Sequence, residues 1–256
     1  MAKIGFIGTG GIAEAMVRGL AGEGHEIFVS KRSAATSAAL ADAFDEVQVM
    51  GNQAVLDAAD DVFLCLMADQ VEGVLGSVAF SPGQRIVSVM LGVDLAALNR
   101  LCTPVEEIAI TIPLAFIRSG GCPLPVYPES RMLNDLFGAR NVVIRLGEET
   151  ALNPHFAATA LCSTVFDQLK TGADWLGGLT GDKRAAESYV VALLSGFLAN
   201  TPTDGATRID AALASLDTEG GLNQTLRERM RGAGMNDRLR EGLDSFRLRL
   251  NLPVKD

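Results

Sequence analysis

Residues 3–13, KIGFIGTGGIA, decide the fold of the first half of the chain. Lys3 to Ile7 form a short apolar run typical of a buried β-strand, and Gly8-Thr9-Gly10-Gly11-Ile12-Ala13 follows with the spacing GxGxxA. In a strand–turn–helix unit the first glycine permits a tight turn, the second lets backbone approach a diphosphate, and the small last residue lets the helix pack on the strand. The stretch predicts a dinucleotide-binding unit whose helix begins at Gly11 and points free N–H groups at phosphate.

The same alternation of strand and helix continues to about Gly147, where short β-branched runs alternate with Ala-rich stretches. This alternation predicts an α/β fold with a mainly parallel, doubly wound sheet. The predicted strands are 3–7, 26–30, 47–50, 61–66, 85–89, 107–111 and 141–146, and the predicted helices are 11–21, 34–43, 53–59, 70–78, 94–100 and 130–137.

After Gly147 the strand pattern stops, and the polar segment 147–150 is typical of a linker. We predict a Rossmann domain over residues 1–149 and an all-helical domain over 150–256, with helix breaks at 177–180, 201–205 and 217–221 and a last helix from 235 to 250. The apolar run Val190 to Ala199 is too short to cross a bilayer and is predicted to be a buried core helix. Trp175 and the methionines are likewise predicted to lie in the core.

Composition narrows the classes of partner. The 256 residues are 48% hydrophobic, and 31 acidic against 22 basic residues give a net charge of -9, which repels nucleic acid and anionic lipid. We therefore expect no nucleic-acid or membrane partner. The four cysteines are scattered without metal-binding spacing and only two histidines are present, so we expect no metal site. The same scatter favours reduced thiols and hence a cytoplasmic protein. Cys65 and Cys162 lie in apolar context, where we expect their thiols to be packed.

The end of the second predicted strand discriminates between cofactors. A carboxylate there would bind the ribose hydroxyl of NAD and repel the 2′-phosphate of NADP. The chain instead has Ser30-Lys31-Arg32-Ser33, two hydroxyls and two cations that suit a phosphate. The segment predicts NADP (NADPH) as cofactor, and an ordinary solvated turn is the alternative.

These residues resemble a known family, the pyrroline-5-carboxylate reductases, which reduce a cyclic imine to proline with NAD(P)H. Residues 3–20, KIGFIGTGGIAEAMVRGL, are similar to that family's KIGFIGxGNMxEAxxxGL, and residues 29–33, VSKRS, to its VSxRS. The run 86–93 is similar to its strand and AG turn. The resemblance implies a role for Asn52 at the adenosine end of the cofactor, an imine reductase of proline biosynthesis, and a homodimer formed by the C-terminal helices, with a larger homo-oligomer as an alternative.

The chain departs from the family where the substrate binds. The family's AVKPQ becomes Cys65-Leu66-Met67-Ala68-Asp69, which implies Leu66 and Met67 beside the cofactor, and its MPNTP becomes Ile112-Pro113-Leu114-Ala115-Phe116. Its SGSGPAY has no clear counterpart in residues 159–164. The apolar residues Leu114, Ala115 and Phe116 predict a drier pocket, and hence a hydrophobic imine or a ring larger than pyrroline.

Residues 218–223, Thr218-Glu219-Gly220-Gly221-Leu222-Asn223, resemble the family's SPGGTT, where two hydroxyl residues flank glycines that receive a substrate carboxylate. The resemblance implies Thr218 and Asn223 as catalytic hydrogen-bond donors and Gly220, Gly221 and Leu222 as substrate-binding residues. A helix N-terminus preceded by Gly-Gly is a carboxylate receptor on physical grounds as well. The alternative is a loop in which Asp217 or Thr218 merely caps the helix.

Two other functions fit the same domain plan. A 3-hydroxyacid dehydrogenase needs a catalytic lysine on the first long helix of the second domain, where Lys170 is available but lacks that family's GxxGxGxxxK pattern. A non-catalytic NADP-binding sensor or scaffold would also keep the cofactor loop while its substrate loop diverges.

Overall fold

The computed structural model describes residues 1–202 and 207–252. The chain divides into two units, Met1–His155 and Phe156–Asp256. The division lies within a short helix, Leu152–Ala158, beyond the linker expected at 147–150.

The first unit contains eight strands and the helices that connect them. The strands are β1 Lys3–Ile7, β2 Glu26–Ser30, β3 Val47–Met50, β4 Asp61–Leu64, β5 Arg85–Ser88, β6 Glu107–Thr111, β7 Pro123–Tyr127 and β8 Val142–Arg145. The helices are α1 Gly11–Leu20, α2 Ala34–Ala43, α3 Asn52–Ala58, α4 Val71–Leu75, α5 Leu95–Leu101 and α6 Arg131–Phe137, and α7 Leu152–Ala158 crosses the division into the second unit.

All eight strands form one sheet in the order β3-β2-β1-β4-β5-β6-β7-β8. The first six are parallel, β7 is antiparallel to β6, and β8 is parallel to β7. The chain leaves β3 at one side of β1 and returns as β4 on the other side, so the strand order reverses next to β1. In open α/β sheets, ligands bind at such a reversal, outside the carboxyl ends of the strands. The predicted doubly wound fold is confirmed.

Helices cover both faces of the sheet, and successive residues of a strand enter opposite cores. In β4, Phe63 packs on one face, where it stacks on Phe6 with ring centroids 5.0 Å apart, while Val62 and Leu64 pack on the other. Strands buried on both faces read as continuous apolar runs, which is the pattern of β1 and β4 in the sequence.

Strand β7 was not predicted, because prolines at 123 and 125 remove backbone donors and argue against an internal strand. Its pairing with β6 involves the aligned pairs Ile110 with Tyr127 and Thr111 with Val126. The Thr111 hydroxyl adds a side-chain bond by donating to the Pro125 carbonyl at 2.8 Å. The strand therefore depends on partners distant in sequence.

The second unit is helical, as predicted. Its helices are α8 Leu161–Thr180, α9 Lys183–Ala199, α10 Ile209–Ser215, α11 Leu222–Gly232, α12 Met235–Asp244 and α13 Arg247–Leu250. Helices α8 and α9 form a hairpin around Gly181, which has a φ of 78°, and the Asp182 carboxylate accepts from the Ala185 N–H to cap α9. The break predicted at 217–221 is confirmed.

Several predictions for this unit are wrong. Helix α8 continues through 177–180 and breaks at Gly181, and the helix predicted over 235–250 is divided between α12 and α13. The break predicted at 201–205 lies partly outside the described residues. The run Val190 to Ala199 is not buried in the single chain, since Leu198 is 72% exposed, and Trp175 on α8 is 69% exposed. Amphipathic spacing identifies an apolar face but not what covers it.

The methionines divide between core and surface. Met16, Met90 and Met132 are buried as expected, whereas Met67 and Met230 are exposed.

Candidate functional site

The carboxyl ends of the parallel strands meet at one edge of the sheet. The register pairs Ile7 with Leu64, Leu64 with Ser88 and Ser88 with Ile110, so β1, β4, β5 and β6 end nearly level. The predicted cofactor residues of the first unit all lie on the segments leaving this edge or at the strand ends themselves. They are Gly8, Thr9, Gly10, Gly11 and Ile12 after β1, Ser30, Lys31 and Arg32 at the end of β2, Asn52 after β3, and Leu66 and Met67 after β4.

The turn between β1 and α1 requires glycine at its first position. Gly8 has a φ of 93°, and a Cβ there would lie 2.4 Å from the Cys65 carbonyl oxygen. Any L side chain would therefore be strained by its backbone and would collide with the segment after β4. Gly8 fixes how closely the turn approaches its neighbouring strand.

The next two glycines leave open space above the start of α1. A Cβ built on Gly10 or Gly11 meets no atom within 4 Å. Gly10 is the N-cap of α1, and no side chain of the described residues caps the helix there. Ala13 is fully buried, so the helix packs closely on the sheet. The free amides and the positive end of the helix dipole therefore face an open surface, which is the arrangement that receives an anion.

Ser30 is oriented inward, and the prediction that its hydroxyl meets a phosphate is wrong. Its Oγ accepts from the Gly8 N–H at 2.8 Å and lies 3.3 Å from the Thr9 hydroxyl. Thr9 in turn donates to the Ser30 carbonyl at 2.8 Å. Both hydroxyls are buried, so they connect the turn to β2 rather than face a ligand.

The two cations that follow β2 are exposed. Lys31 and Arg32 extend from the strand end, where the Lys31 N–H donates to the Met50 carbonyl of β3 at 3.1 Å. Neither side chain has an ion-pair partner within residues 1–202 and 207–252. Asn52 is half-buried at the first position of α3, on the next segment along the same edge. The β2–β3 end of the edge therefore offers uncompensated positive charge.

The opposite end of the same edge is apolar. Met67 after β4, Leu91 after β5 and Phe116 after β6 are 68%, 43% and 45% exposed, although large apolar side chains elsewhere in this unit are mostly buried. Leu66 differs from its neighbour, because its side chain packs in the core. Sequence reasoning missed Leu91, although the Gly92 that follows it was a sign of a turn at a strand end.

The second-unit loop 218–223 is shaped by its glycines. Gly220 has a φ of 67°, and a Cβ on Gly221 would lie 2.9 Å from the Thr218 carbonyl oxygen. The Gly221 N–H donates to that carbonyl at 2.8 Å, and Gly221 is the N-cap of α11. No side chain of the described residues caps α11, so capping by Asp217 or Thr218 is not what the structure shows.

Two side chains of this unit hold the loop in place. Arg227 contacts the Asp217 carboxylate at 2.5 Å and donates to the Leu213 carbonyl at 3.2 Å. The Gln224 side chain accepts from the Gly220 N–H at 2.8 Å. Thr218, Leu222 and Asn223 remain exposed beside the uncapped helix start.

Other reactive groups show ordinary structural environments. Lys170 on α8 pairs with Asp174 one helical turn away, and this partner raises the pKa of Lys170, which keeps it protonated and unsuited to act as a base. Burial raises the pKa of the Cys65 and Cys122 thiols, and that of Cys102 to about 12. Cys162 is exposed, so its predicted packing is wrong.

The described residues hold neither a candidate metal site nor a membrane-spanning helix. They contain no group of three histidine, cysteine or acidic side chains placed to hold a metal. No described helix has the length and apolar character needed to span a bilayer.

A cavity of about 320 Å³ lies at the amino ends of the strands, lined by Arg85, Glu106, Glu107 and Arg131 among others. Arg85 is already bound there by the Asp61 carboxylate at 2.7 and 2.9 Å. Parallel sheets bind ligands at the carboxyl ends, so this cavity is not the candidate site.

A family model matches the N-terminal part of the chain. Residues 3–92 match the family model described as NADP oxidoreductase coenzyme F420-dependent. No curated protein sequence matches the chain.

Solved structures resemble the chain over most of its length. A pyrroline-5-carboxylate reductase from Streptococcus pyogenes is 19% identical with a TM-score of 0.80, covering 97% of this chain and 98% of that one. A pyrroline carboxylate reductase from Plasmodium falciparum with NADP bound is 12% identical, covers 97% of both chains and has a TM-score of 0.80. A reductive aminase from Aspergillus terreus, in complex with NADPH and ethyl-5-oxohexanoate, is 17% identical, covers 84% of both chains and has a TM-score of 0.55. The chain therefore has the fold of the pyrroline-5-carboxylate reductases.

Proposed function

We propose that this chain is an NADPH-dependent oxidoreductase of the pyrroline-5-carboxylate reductase family, which reduces the C=N bond of a cyclic imine to an amine by hydride transfer. One observation carries the proposal: the carboxyl edge of the sheet presents cations, then bare amides, then apolar side chains, in that order. Lys31 and Arg32 form the first part, the turn at Gly10 the second, and Met67, Leu91 and Phe116 the third. NADPH carries matching groups along its length: a 2′-phosphate, a diphosphate and a nicotinamide.

The cofactor contacts follow from this match. The uncapped start of α1 at Gly10 and Gly11 would hold the diphosphate, and Arg32 and Lys31 would hold the 2′-phosphate with charge-assisted hydrogen bonds. Asn52 would contact the adenosine end. Solved structures of the same fold with NADP or NADPH bound support this assignment.

The chemistry requires little from the protein beyond placement. Bound NADPH supplies the hydride, and the chain holds the two reactants face to face and limits water around them. In this proposal Thr218 and Asn223 are the catalytic residues, which donate hydrogen bonds to the substrate, and the amides around Gly220, Gly221 and Leu222 bind a substrate carboxylate. Water supplies the proton that the imine nitrogen takes up before hydride transfer.

The substrate proposal rests on the apolar part of the edge. Met67, Leu91 and Phe116 expose apolar surface there, and Leu114 and Ala115 precede Phe116. Apolar walls with a few polar groups bind ligands through buried apolar area. We therefore expect a hydrophobic imine or a ring larger than pyrroline to be reduced more efficiently than 1-pyrroline-5-carboxylate itself.

The helical unit suits a homodimer. Eleven large apolar residues of α8 and α9 are exposed in the single chain: Leu161, Val165, Phe166, Trp175, Leu179, Tyr189, Val191, Leu193, Leu194, Phe197 and Leu198. Monomeric proteins seldom expose a patch of this kind. A second copy of this chain is the occupant that the resemblance implies, and the same patch on each protomer would form a two-fold interface.

The test is NADPH consumption by the purified chain across a panel of cyclic imines that vary in ring size and apolar substituents. We expect turnover with NADPH, weak turnover with NADH, and no oxidation of small 3-hydroxy acids with NADP. Binding of NADPH without turnover on any imine would favour the sensor function. Oxidation of 3-hydroxy acids would favour the dehydrogenase.

A substitution separates the substrate side from the cofactor side. Asn223→Ala should lower kcat up to about tenfold, the loss expected for one transition-state hydrogen bond, while the Kd for NADPH stays unchanged. Asn99→Ala, an exposed asparagine on α5 that bonds only within its own helix region, is the matched control. Unchanged turnover in Asn223→Ala would remove this residue from the site.

A further inference from the structure

Three donated hydrogen bonds form a closed circuit between the glycine-rich turn and the end of β2. The Gly8 N–H donates to Ser30 Oγ, and the Thr9 hydroxyl donates to the Ser30 carbonyl, each at 2.8 Å. The Thr9 hydroxyl has one proton, which it donates to the Ser30 carbonyl. In the 3.3 Å hydrogen bond between the two hydroxyls, Ser30 is therefore the donor and Thr9 the acceptor. Ser30 is 0% and Thr9 1% exposed, so water does not compete for these bonds.

The circuit joins the two segments that carry the proposed phosphate contacts. The aligned pairing of β1 with β2 ends at Phe6 and Val29, one residue before each strand ends. Beyond that point one segment continues to Gly10 and the other to Arg32. The Thr9–Ser30 circuit is therefore placed to fix the separation between the amides of the turn and the cations after β2.

We propose that Thr9 and Ser30 are positioning residues for cofactor selectivity: their closed circuit holds the two phosphate-binding segments at the separation that lets one NADPH engage both. This inference rests on the proposed function. The diphosphate and the 2′-phosphate are joined covalently, so once one is bound the strength of the second contact depends on how well its partner is placed. If the segment that carries Lys31 and Arg32 had to be ordered on binding, the entropy cost would weaken the contact with the 2′-phosphate. NADH has no 2′-phosphate and depends on the turn alone.

Thr9→Val tests this directly, because valine keeps the shape and removes the donor and acceptor. We expect the Kd for NADPH to rise about tenfold and that for NADH less than about threefold, as measured by calorimetry. Thr9→Ser keeps the hydroxyl and should restore the NADPH affinity. Ser30→Ala opens the circuit from the other side and should reproduce the shift, which keeps the test available if Thr9→Val does not fold.

Thr111→Val is the matched control. Thr111 is equally buried at the end of β6, and its hydroxyl also donates to a carbonyl at 2.8 Å, but it lies away from Lys31 and Arg32. It should lower stability as Thr9→Val does, as measured by urea unfolding, and leave the ratio of the two Kd values unchanged. If Thr9→Val and Thr111→Val changed that ratio equally, the inference would be overturned, because the change would then reflect a general loss of stability in the first unit.

A double-mutant comparison gives the decisive readout. In a Lys31→Ala/Arg32→Ala background the circuit has no cations to position, so adding Thr9→Val should change the NADPH and NADH affinities by the same factor. If Thr9→Val still lowers the affinity for NADPH selectively in this background, the inference is overturned and the proposed function is not affected. If the wild-type chain binds neither nucleotide, the proposed function and this inference both fail, whereas wild-type NADPH preference with an unaffected Thr9→Val refutes only the inference.

Discussion

Gly10→Ala adds a single methyl group, which should weaken cofactor binding without affecting folding. Gly10 has φ and ψ of -84° and -172°, which alanine adopts without strain, and an added Cβ meets no atom within 4 Å. The variant should therefore fold normally, and its free energy of unfolding should be unchanged or higher by up to about 1 kcal/mol because the unfolded chain loses freedom.

The same methyl group would stand where a diphosphate approaches the backbone. If it prevents one charge-assisted amide–phosphate hydrogen bond, about 1.5–3 kcal/mol of binding free energy is lost, which raises the Kd for NADPH about 10- to 100-fold. Isothermal titration calorimetry measures this change, and chemical denaturation measures the stability of the same samples.

Alanine substitutions at two other glycines, Gly83 and Gly8, serve as comparisons for Gly10→Ala. Gly83, in the loop before β5 at the opposite edge of the sheet, also has open space around its Cβ position, so Gly83→Ala should affect neither property. Gly8→Ala should lower stability by about 2 kcal/mol or more, because its φ of 93° and the Cys65 carbonyl both oppose a side chain. Wild-type NADPH affinity in Gly10→Ala would show that the turn does not carry the diphosphate.

The remaining predictions concern charge, assembly and thiols. Arg32→Glu places a carboxylate beside the expected 2′-phosphate and should raise the Kd for NADPH about 100-fold while that for NADH changes little; equal weakening of both would contradict the assignment. Trp175→Glu combined with Leu198→Glu should convert the proposed dimer to a monomer in light scattering, and a monomeric wild type would refute the proposed interface. Burial raises the pKa of Cys102 to about 12, so iodoacetamide at pH 8 should alkylate Cys102 much more slowly in the native chain than in the urea-unfolded chain, as mass spectrometry reports; comparable rates in the two states would contradict the burial of Cys102.

The sheet was largely predictable because its signals are local. Strands β1, β2, β3 and β6 have the predicted bounds, since each is a short apolar or β-branched run that ends at a turn or capping residue. Strand β7 was missed because its prolines oppose a strand locally, and only its distant partners β6 and β8 stabilise it. Local pattern therefore identifies elements that would form in any context and misses those that depend on pairing.

The candidate site shows the same limit at the level of single side chains. The spacing after β1 placed the glycines at the strand edge, because backbone geometry alone determines their role. A serine at position 30 suggested a phosphate ligand, but the direction of its hydroxyl depends on Gly8 and Thr9, which are distant in sequence. Leu91 is similar: its exposure follows from where β5 ends, and no local motif encodes it.

The apolar end of the edge also bears on which reaction the chain can support. Hydride transfer to a protonated imine moves one positive charge from the substrate to the nicotinamide ring, so the net charge at the proposed site beside Met67, Leu91 and Phe116 would be the same before and after the step. An apolar surface that disfavours charge then disfavours both states alike and adds little to the barrier. Oxidation of a 3-hydroxy acid instead releases a proton from the alcohol, which needs a base within hydrogen-bond reach. Lys170 is held protonated by Asp174 on an exposed face of α8, so it is a poor candidate for that base, and imine reduction requires less of the residues that the structure describes.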